Sequence, residues 1–236
     1  MTPDDHPLSS ITALVEGVFD SLDRIAQAMA GLWDGLESQG TAAQSTDLAG
    51  LRDAVLGELD RQGSIFNGTG VVVADSVLAD RPRYLEWWRR DSREVQARKL
   101  MLDMNPHSEY FYDYSTMDWF TAARDRDTRW IHGPYLDYMG VDLYVCTFSM
   151  PIRSGRGRFL GVAAADVPLA SLDAALMPAF RSSRRPQALV NAEGRVIIAN
   201  HPDHVTGSRL RTGPAPSRPV PATPWALYAL DWPDSS

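Results

Sequence analysis

Apolar residues recur at three- and four-residue steps through the first segment: Ile11, Leu14, Val15, Val18, Phe19, Leu22, Ile25, Ala26, Met29, Leu32, Trp33 and Leu36. The spacing predicts one long amphipathic helix over Ser9 to Ser38, with Ser9 and Ser10 as candidate caps. Its stripe either packs on its own domain or pairs with a second copy to give a homodimer. After the polar break Gly40 to Ser45, the positions Leu48, Leu51, Val55, Leu56 and Leu59 predict a second helix, begun at Ser45 or Thr46 and closed near Gly63. Ser64 to Ala74 then has strand character, with Val71, Val72 and Val73 as its buried part, and Tyr84 to Arg90 alternates as its antiparallel neighbour.

Met117 to Arg126 reads as a short helix. Two apolar strands, Val141 to Ile152 and Phe159 to Val167, meet across the Gly-rich loop Arg153 to Arg158. Pro168 opens a helix from Leu169 to Phe180. A basic, polar boundary falls at Arg181 to Pro186. Beyond it, Ala188-Leu189-Val190 and Arg195 to Ile198 flank Asn191-Ala192-Glu193-Gly194, a hairpin by its turn residues. Arg211 to Pro224 is Pro-rich and reads as an irregular loop, and Trp225 to Leu230 as a closing strand. This order predicts an α+β fold, an antiparallel sheet with helices gathered on one side. It also divides the chain into a helical region at 1–62, a central domain at 63–180 and a smaller unit at 187–236.

Composition narrows the function. The net charge of −7 repels nucleic acid and suits a neutral or cationic partner. Cys146 is the single cysteine and sits in an apolar run, where a small buried hydrophobe is expected instead of a nucleophile. The acidic start, Met1 to Pro7, has no basic n-region, and the long helix carries charges on every turn, so a cytoplasmic location without membrane contact is expected. His201 and His204 stand three apart with Asp203 between them, but in a polar loop without a helix to fix their geometry, so no metal is expected. The sequence has no nucleophile elbow, no phosphate-cradling loop and no dinucleotide fingerprint, hence no expected cofactor.

What remains is a constellation of aromatics and isolated acids. Tyr112, Trp119, Phe120, Tyr135 and Tyr144 come from different elements that would converge over one face of the sheet, together with Asp137 and Asp166. Aromatic faces attract a desolvated cation by about 2 kcal/mol or more per good contact. Asp166 ends the apolar run Gly161-Val162-Ala163-Ala164-Ala165, where a carboxylate is costly unless something pairs with it.

The long helix, the block Tyr112 to Tyr135 and the strand Phe159 to Val167 with the helix after it resemble a Cache domain, the PAS-like ligand-binding module of bacterial chemoreceptors and sensor kinases. The segment Ala188 to Leu210, with Asn191-Ala192-Glu193-Gly194-Arg195-Val196, resembles the start of a second, truncated PAS-like module. In the amino-acid-binding branch, the resemblance implies a site at Tyr112, Trp119, Phe120, Tyr135, Asp137 and Asp166. Met117 stands where that branch has the arginine that grips the ligand carboxylate, and Phe120 replaces a tyrosine. With the arginine gone and both acids kept, the site resembles the amine-recognising branch. The expected function is a sensor module with the ammonium of an amine between Asp137 and Asp166, boxed by Trp119, Phe120 and Tyr135. Tyr112 would line the wall, Met117 would widen the apolar end, and Tyr144 completes the expected ligand-binding set. An amine is expected ahead of an amino acid or carboxylate. Signalling would run through a separate regulator protein or through dimerisation of the long helix. Two other readings stay open at this point: an enzyme on a small amine or acid with Asp166 or Asp137 as general base, and an orphan dimerisation domain without ligand.

Overall fold

The computed structural model describes residues 5–90, 96–137, 143–210 and 217–231. The first helix, α1 (His6–Ser38), starts earlier than the serine caps suggest, because Pro7 at its first turn needs no amide partner and presets the backbone. It ends where Gly40 takes a positive φ of 68°, a conformation that costs glycine little. Ile11, Val15, Val18, Phe19, Leu22, Ile25, Met29 and Trp33 are buried along one side. A 3₁₀ turn, Asp47–Leu51, leads into α2 (Arg52–Leu59), so the expected second helix is two shorter pieces.

Six antiparallel strands make the main sheet: β1 (Gly68–Val73), β2 (Tyr84–Arg89), β3 (Arg98–Lys99), β4 (Trp130–Asp137), β5 (Leu143–Arg153) and β6 (Phe159–Pro168), in the order β3-β2-β1-β6-β5-β4. The first two residues of the expected strand 141–152 lie outside the described residues. Helices α3 (Asp118–Arg126) and α4 (Leu169–Arg181) fall where the sequence places them. A second sheet holds β7 (Gln187–Val190), β8 (Val196–Ala199), β9 (Ser217–Pro219) and β10 (Ala226–Ala229), in the order β8-β7-β10-β9. The fold is α+β and antiparallel. The Pro-rich stretch contributes β9 instead of staying wholly irregular, and residues 211–216 of it lie outside the described part.

Alternation along β6 and β5 sorts the two faces of the main sheet. Ala163, Ala165, Val167, Cys146 and Phe148 point to α1 and share one apolar cluster with Phe19, Leu22, Ile25 and Leu172. That cluster also takes in Leu189, Ile197, Ile198, Trp225 and Leu227, so one core crosses from the first sheet to the second. Cys146 is a buried free thiol in this core. The opposite face carries a separate cluster of Val72, Leu85, Trp87, Tyr114, Trp119, Phe120, Val162 and Ala164, beneath α3.

Glu58 ties α2 to α1. Arg24 donates from Nε at 2.7 Å and from Nη2 at 2.9 Å, and Arg61 from Nε at 2.8 Å and Nη2 at 2.7 Å. Burial would raise the Glu58 carboxyl, but the hydrogen bonds from Arg24 and Arg61 outweigh it and hold it down at about 2. A depressed acid contributes stability that is present above its unfolded value of 4.5 and is lost as pH falls toward 2. Glu58→Gln is therefore expected to lower stability at pH 7 by about 1–3 kcal/mol and by much less near pH 2. Urea melts at both pH values check this, and an equal loss at both would rule out the electrostatic account. No helix among the described residues is long and apolar enough to cross a membrane.

Candidate functional site

On the α3 face of the main sheet, several elements enclose a cavity of about 40 Å³. Its floor is Val72 of β1 and Ala164 of β6, both on the side facing away from α1. Leu85 and Trp87 of β2, with Leu100, Leu102 and Tyr112 from the segment after β3, form one flank. Trp119 of α3, Tyr135 and Asp137 of β4, Thr147 of β5 and Asp166 of β6 complete the lining. The free volume exceeds the roughly 10–15 Å³ that one water requires, but it suits only a compact group unless the walls move.

The polar side of the cavity is built by register. Asp166 pairs across β5 with Thr147 and across β1 with Gly68. Gly68 leaves this patch open toward β2, since a Cβ there would stand 2.7 Å from Nε1 of Trp87. The Thr147 hydroxyl donates to Asp166 Oδ1 at 2.6 Å and lies 2.7 Å from the Tyr135 hydroxyl. A threonine hydroxyl has one proton. With that proton given to the carboxylate, Tyr135 must be the donor to Thr147, and the three groups form a directed chain ending at Asp166. Burial raises the Asp166 carboxyl to about 7; the Thr147 hydrogen bond opposes this and the charge of Asp137 adds to it. Burial also raises the phenols of Tyr112 and Tyr135, and the charges of Asp166 and Asp137 raise both further, so the two hydroxyls sit in the field of both acids.

Tyr135 and Asp137 reach this face through an irregularity. His132 pairs with Thr147, but Tyr135 pairs with Val145, so β4 advances three residues while β5 retreats two. The extra residue is a bulge at Gly133-Pro134, whose peptide bond is cis. Before it, Ile131 points into the α1 core; after it, Tyr135 and Asp137 point into the cavity. Gly133 has φ 112°, and a Cβ there would lie 2.7 Å from the Val145 carbonyl, so only glycine makes this close approach.

The structure thus brings Tyr112, Trp119, Tyr135, Asp137 and Asp166 to one cavity, and leaves three expected residues elsewhere. Phe120 follows Trp119 on α3, about 100° round the helix, and is buried against Tyr114 at 5.3 Å and Phe159 at 6.0 Å. Met117 precedes α3 in an extended conformation and is 38% exposed. Tyr144 has the wrong parity on β5 to share a face with Thr147, and is 54% exposed. Sequence reasoning missed Thr147, Trp87, Leu85, Leu100 and Leu102. A hydroxyl inside the apolar run Val145-Cys146-Thr147-Phe148 was the available signal for the first. Among the described residues, the lining holds no lysine, arginine or histidine. The described residues also hold no cluster of three or more His, Cys, Asp or Glu side chains suited to a metal ion.

Residues 60–174 match the family model for the methyl-accepting chemotaxis protein-like first PDC sensor domain. The chain has no match among curated protein sequences. Solved structures share the fold over nearly the whole chain. The extracellular domain of the putative histidine kinase soHK1S-Z6 is 14% identical, with a TM-score of 0.67 over 97% of this chain and 91% of that one. The ligand-binding domain of the Pseudomonas fluorescens chemoreceptor CtaA, in complex with L-valine, is 14% identical, with a TM-score of 0.61 over 99% and 95%. The ligand-binding domain of the Pseudomonas aeruginosa PAO1 amino acid chemoreceptor PctB, in complex with L-Arg, is 16% identical, with a TM-score of 0.57 over 97% and 92%. The family and these neighbours are sensors, not enzymes. They also correct the expected cytoplasmic location, since the neighbouring sensor domains are extracellular or periplasmic. The expectation rested on charge near the N-terminus, and a sensor domain needs a polar surface on either side of a membrane.

Proposed function

We propose that this chain, which carries a Cache/PDC sensor domain at residues 60–174, senses a compact amine whose ammonium sits between Asp137 and Asp166. One observation carries the reading: among the described residues, two carboxylates and no cationic side chain line the same cavity. The desolvated carboxylate of Asp166 in such a place calls for a positive occupant, which supplies charge-assisted hydrogen bonds in exchange for lost water. Trp119, Tyr135 and Tyr112 offer aromatic faces around it. CtaA and PctB were solved with amino acids, each of which bears an ammonium group. The reading keeps that half of such a ligand and drops the carboxylate, for which the described lining holds no cation. The ligand-binding domain would span 63–180, with the helical region 1–62 before it and a second PAS-like unit at 187–236 after it. Binding would be passed on through a partner regulator or, since the apolar stripe of α1 is packed on its own sheet, through pairing of the exposed side of α1 with a second copy.

A thermal-shift screen of the full chain against amines, amino acids and short carboxylates tests this. A ligand at 100 times its Kd adds about 2.7 kcal/mol, which at this chain length is a shift of roughly 5–10 °C. The shifts are expected with amines. They should be larger at pH 8 than at pH 6, because the Asp166 carboxyl, raised to about 7, must be ionised to hold an ammonium. With an amine that stays protonated, affinity should rise roughly tenfold between those pH values. Shifts with carboxylates alone would overturn the assignment.

A further inference from the structure

We infer that Asn191 is a positioning residue for the cavity: from the β7–β8 turn its amide holds the Gly133 carbonyl, and with it the orientation in which β4 presents Tyr135 and Asp137. Asn191 is 8% exposed, and both ends of its side-chain amide are engaged. Oδ1 accepts the amides of Glu193 at 3.1 Å and Arg195 at 2.8 Å, while Nδ2 donates to Gly133 O at 2.8 Å. Two backbone donors on the oxygen fix which end of the amide is which, so the nitrogen must face Gly133. The turn is itself closed by Asn191 N to Arg195 O at 3.0 Å and Gly194 N to Asn191 O at 3.0 Å. Asn191 therefore reaches β4 from a rigid base.

Its target is the one place where β4 departs from its ladder with β5. The bulge leaves a residue without a cross-strand partner, and the Asn191 amide meets it there. Gly133 is pressed against the Val145 backbone on one side and tied to Asn191 by this bond. Two residues further on, Tyr135 begins the hydrogen-bond chain to Asp166; four residues on, Asp137 lines the cavity. The bond crosses from the second sheet to the first, so the β7–β8 turn and the cavity are coupled in both directions.

The inference about affinity rests on the amine reading, whereas the inference about β4 does not, and the test separates them. Asn191→Asp keeps an acceptor for the Glu193 and Arg195 amides at nearly the same shape and replaces the donor to Gly133 with a carboxylate oxygen that the carbonyl repels. Asn191→Ser serves as a second variant. Amide hydrogen exchange of the full chain without ligand should accelerate at 131–137 while the β5–β6 ladder exchanges as before. Titration with ethylammonium should weaken about tenfold, within the usual range of couplings between sites. The weakening should disappear when Asn191→Asp is made in an Asp137→Asn background. Unchanged exchange at β4, or a uniform acceleration at all amides, would overturn the positioning role. If the wild-type chain ignores ethylammonium yet β4 alone loosens in Asn191→Asp, the amine reading falls and the positioning of Tyr135 and Asp137 stands.

Discussion

Asp166→Asn is expected to weaken amine binding by about 10- to 150-fold and, at the same time, to make the ligand-free protein more stable at pH 8. The first effect is the loss of one charge-assisted hydrogen bond, about 1.5–3 kcal/mol. The second follows from the sign of the shift. Burial lifts the folded carboxyl from 3.8 to about 7, so the folded state binds this proton more tightly than the unfolded chain does. Stability from such a group is fully present below 3.8 and is lost as pH rises through 7. The full shift would cost roughly 4 kcal/mol above pH 7 at 1.36 kcal/mol per unit, and less where cavity water reaches the carboxylate. The asparagine keeps an acceptor for Thr147 and carries no charge, so it removes that slope. Calorimetric melts of both proteins from pH 5 to pH 8, with and without ethylammonium, measure both effects. Parallel pH curves, or amine binding that survives the substitution, would count against Asp166 as the ammonium partner. A site residue whose removal stabilises the fold is one that the fold tolerates for the sake of its ligand.

Phe148→Ala is expected to cost about 3–5 kcal/mol, the usual range for deleting a buried phenylalanine, or roughly 6–20 °C in Tm. Phe148 is fully buried on the α1 face of β5. Its ring packs on Phe19 of α1 at 5.5 Å and meets Trp225, just before β10, edge-on at 5.8 Å. It is therefore shared between the long helix, the main sheet and the second sheet. Because one apolar cluster spans all three, the variant should still melt in a single transition, displaced as a whole. Two separated transitions in calorimetry would show that the sheets fold independently despite the shared ring.

Much of this architecture is legible in the sequence wherever periodicity is unbroken. The step of three and four that buries Ile11 through Trp33 defines α1, and the apolar runs flanking Arg153 to Arg158 define β5 and β6. Strand β4 is not legible, because the bulge at Gly133-Pro134 interrupts its alternation and an X-Pro step reads as a turn. Strand β3 is only two residues long and β9 lies in a Pro-rich stretch, so neither has room to show a period. The cavity follows the same logic. Asp166 stands out as an acid ending an apolar strand. Tyr144, Phe120 and Met117 are next to or near cavity residues in sequence, but strand parity and helix rotation send them elsewhere. Leu100 and Leu102 come from a segment with no pattern, and only tertiary structure brings them to the wall.

The single extra residue in β4 has a consequence for how such sites diversify. Side chains on a strand are read in two alternating frames, and an inserted or deleted residue shifts the frame for everything downstream without altering a letter of it. In this chain the shift puts a phenol and a carboxylate toward the cavity. A descendant that lost one residue at Gly133-Pro134 would restore plain alternation with Tyr135 still opposite Val145, whereas one that kept both residues but ironed out the bulge would turn Leu136 inward and send the phenol of Tyr135 and the carboxylate of Asp137 to the opposite face. Losing the bulge without losing a residue could then exchange an acidic wall for an aliphatic one, a change of ligand class that no comparison of residue types at fixed columns would foresee.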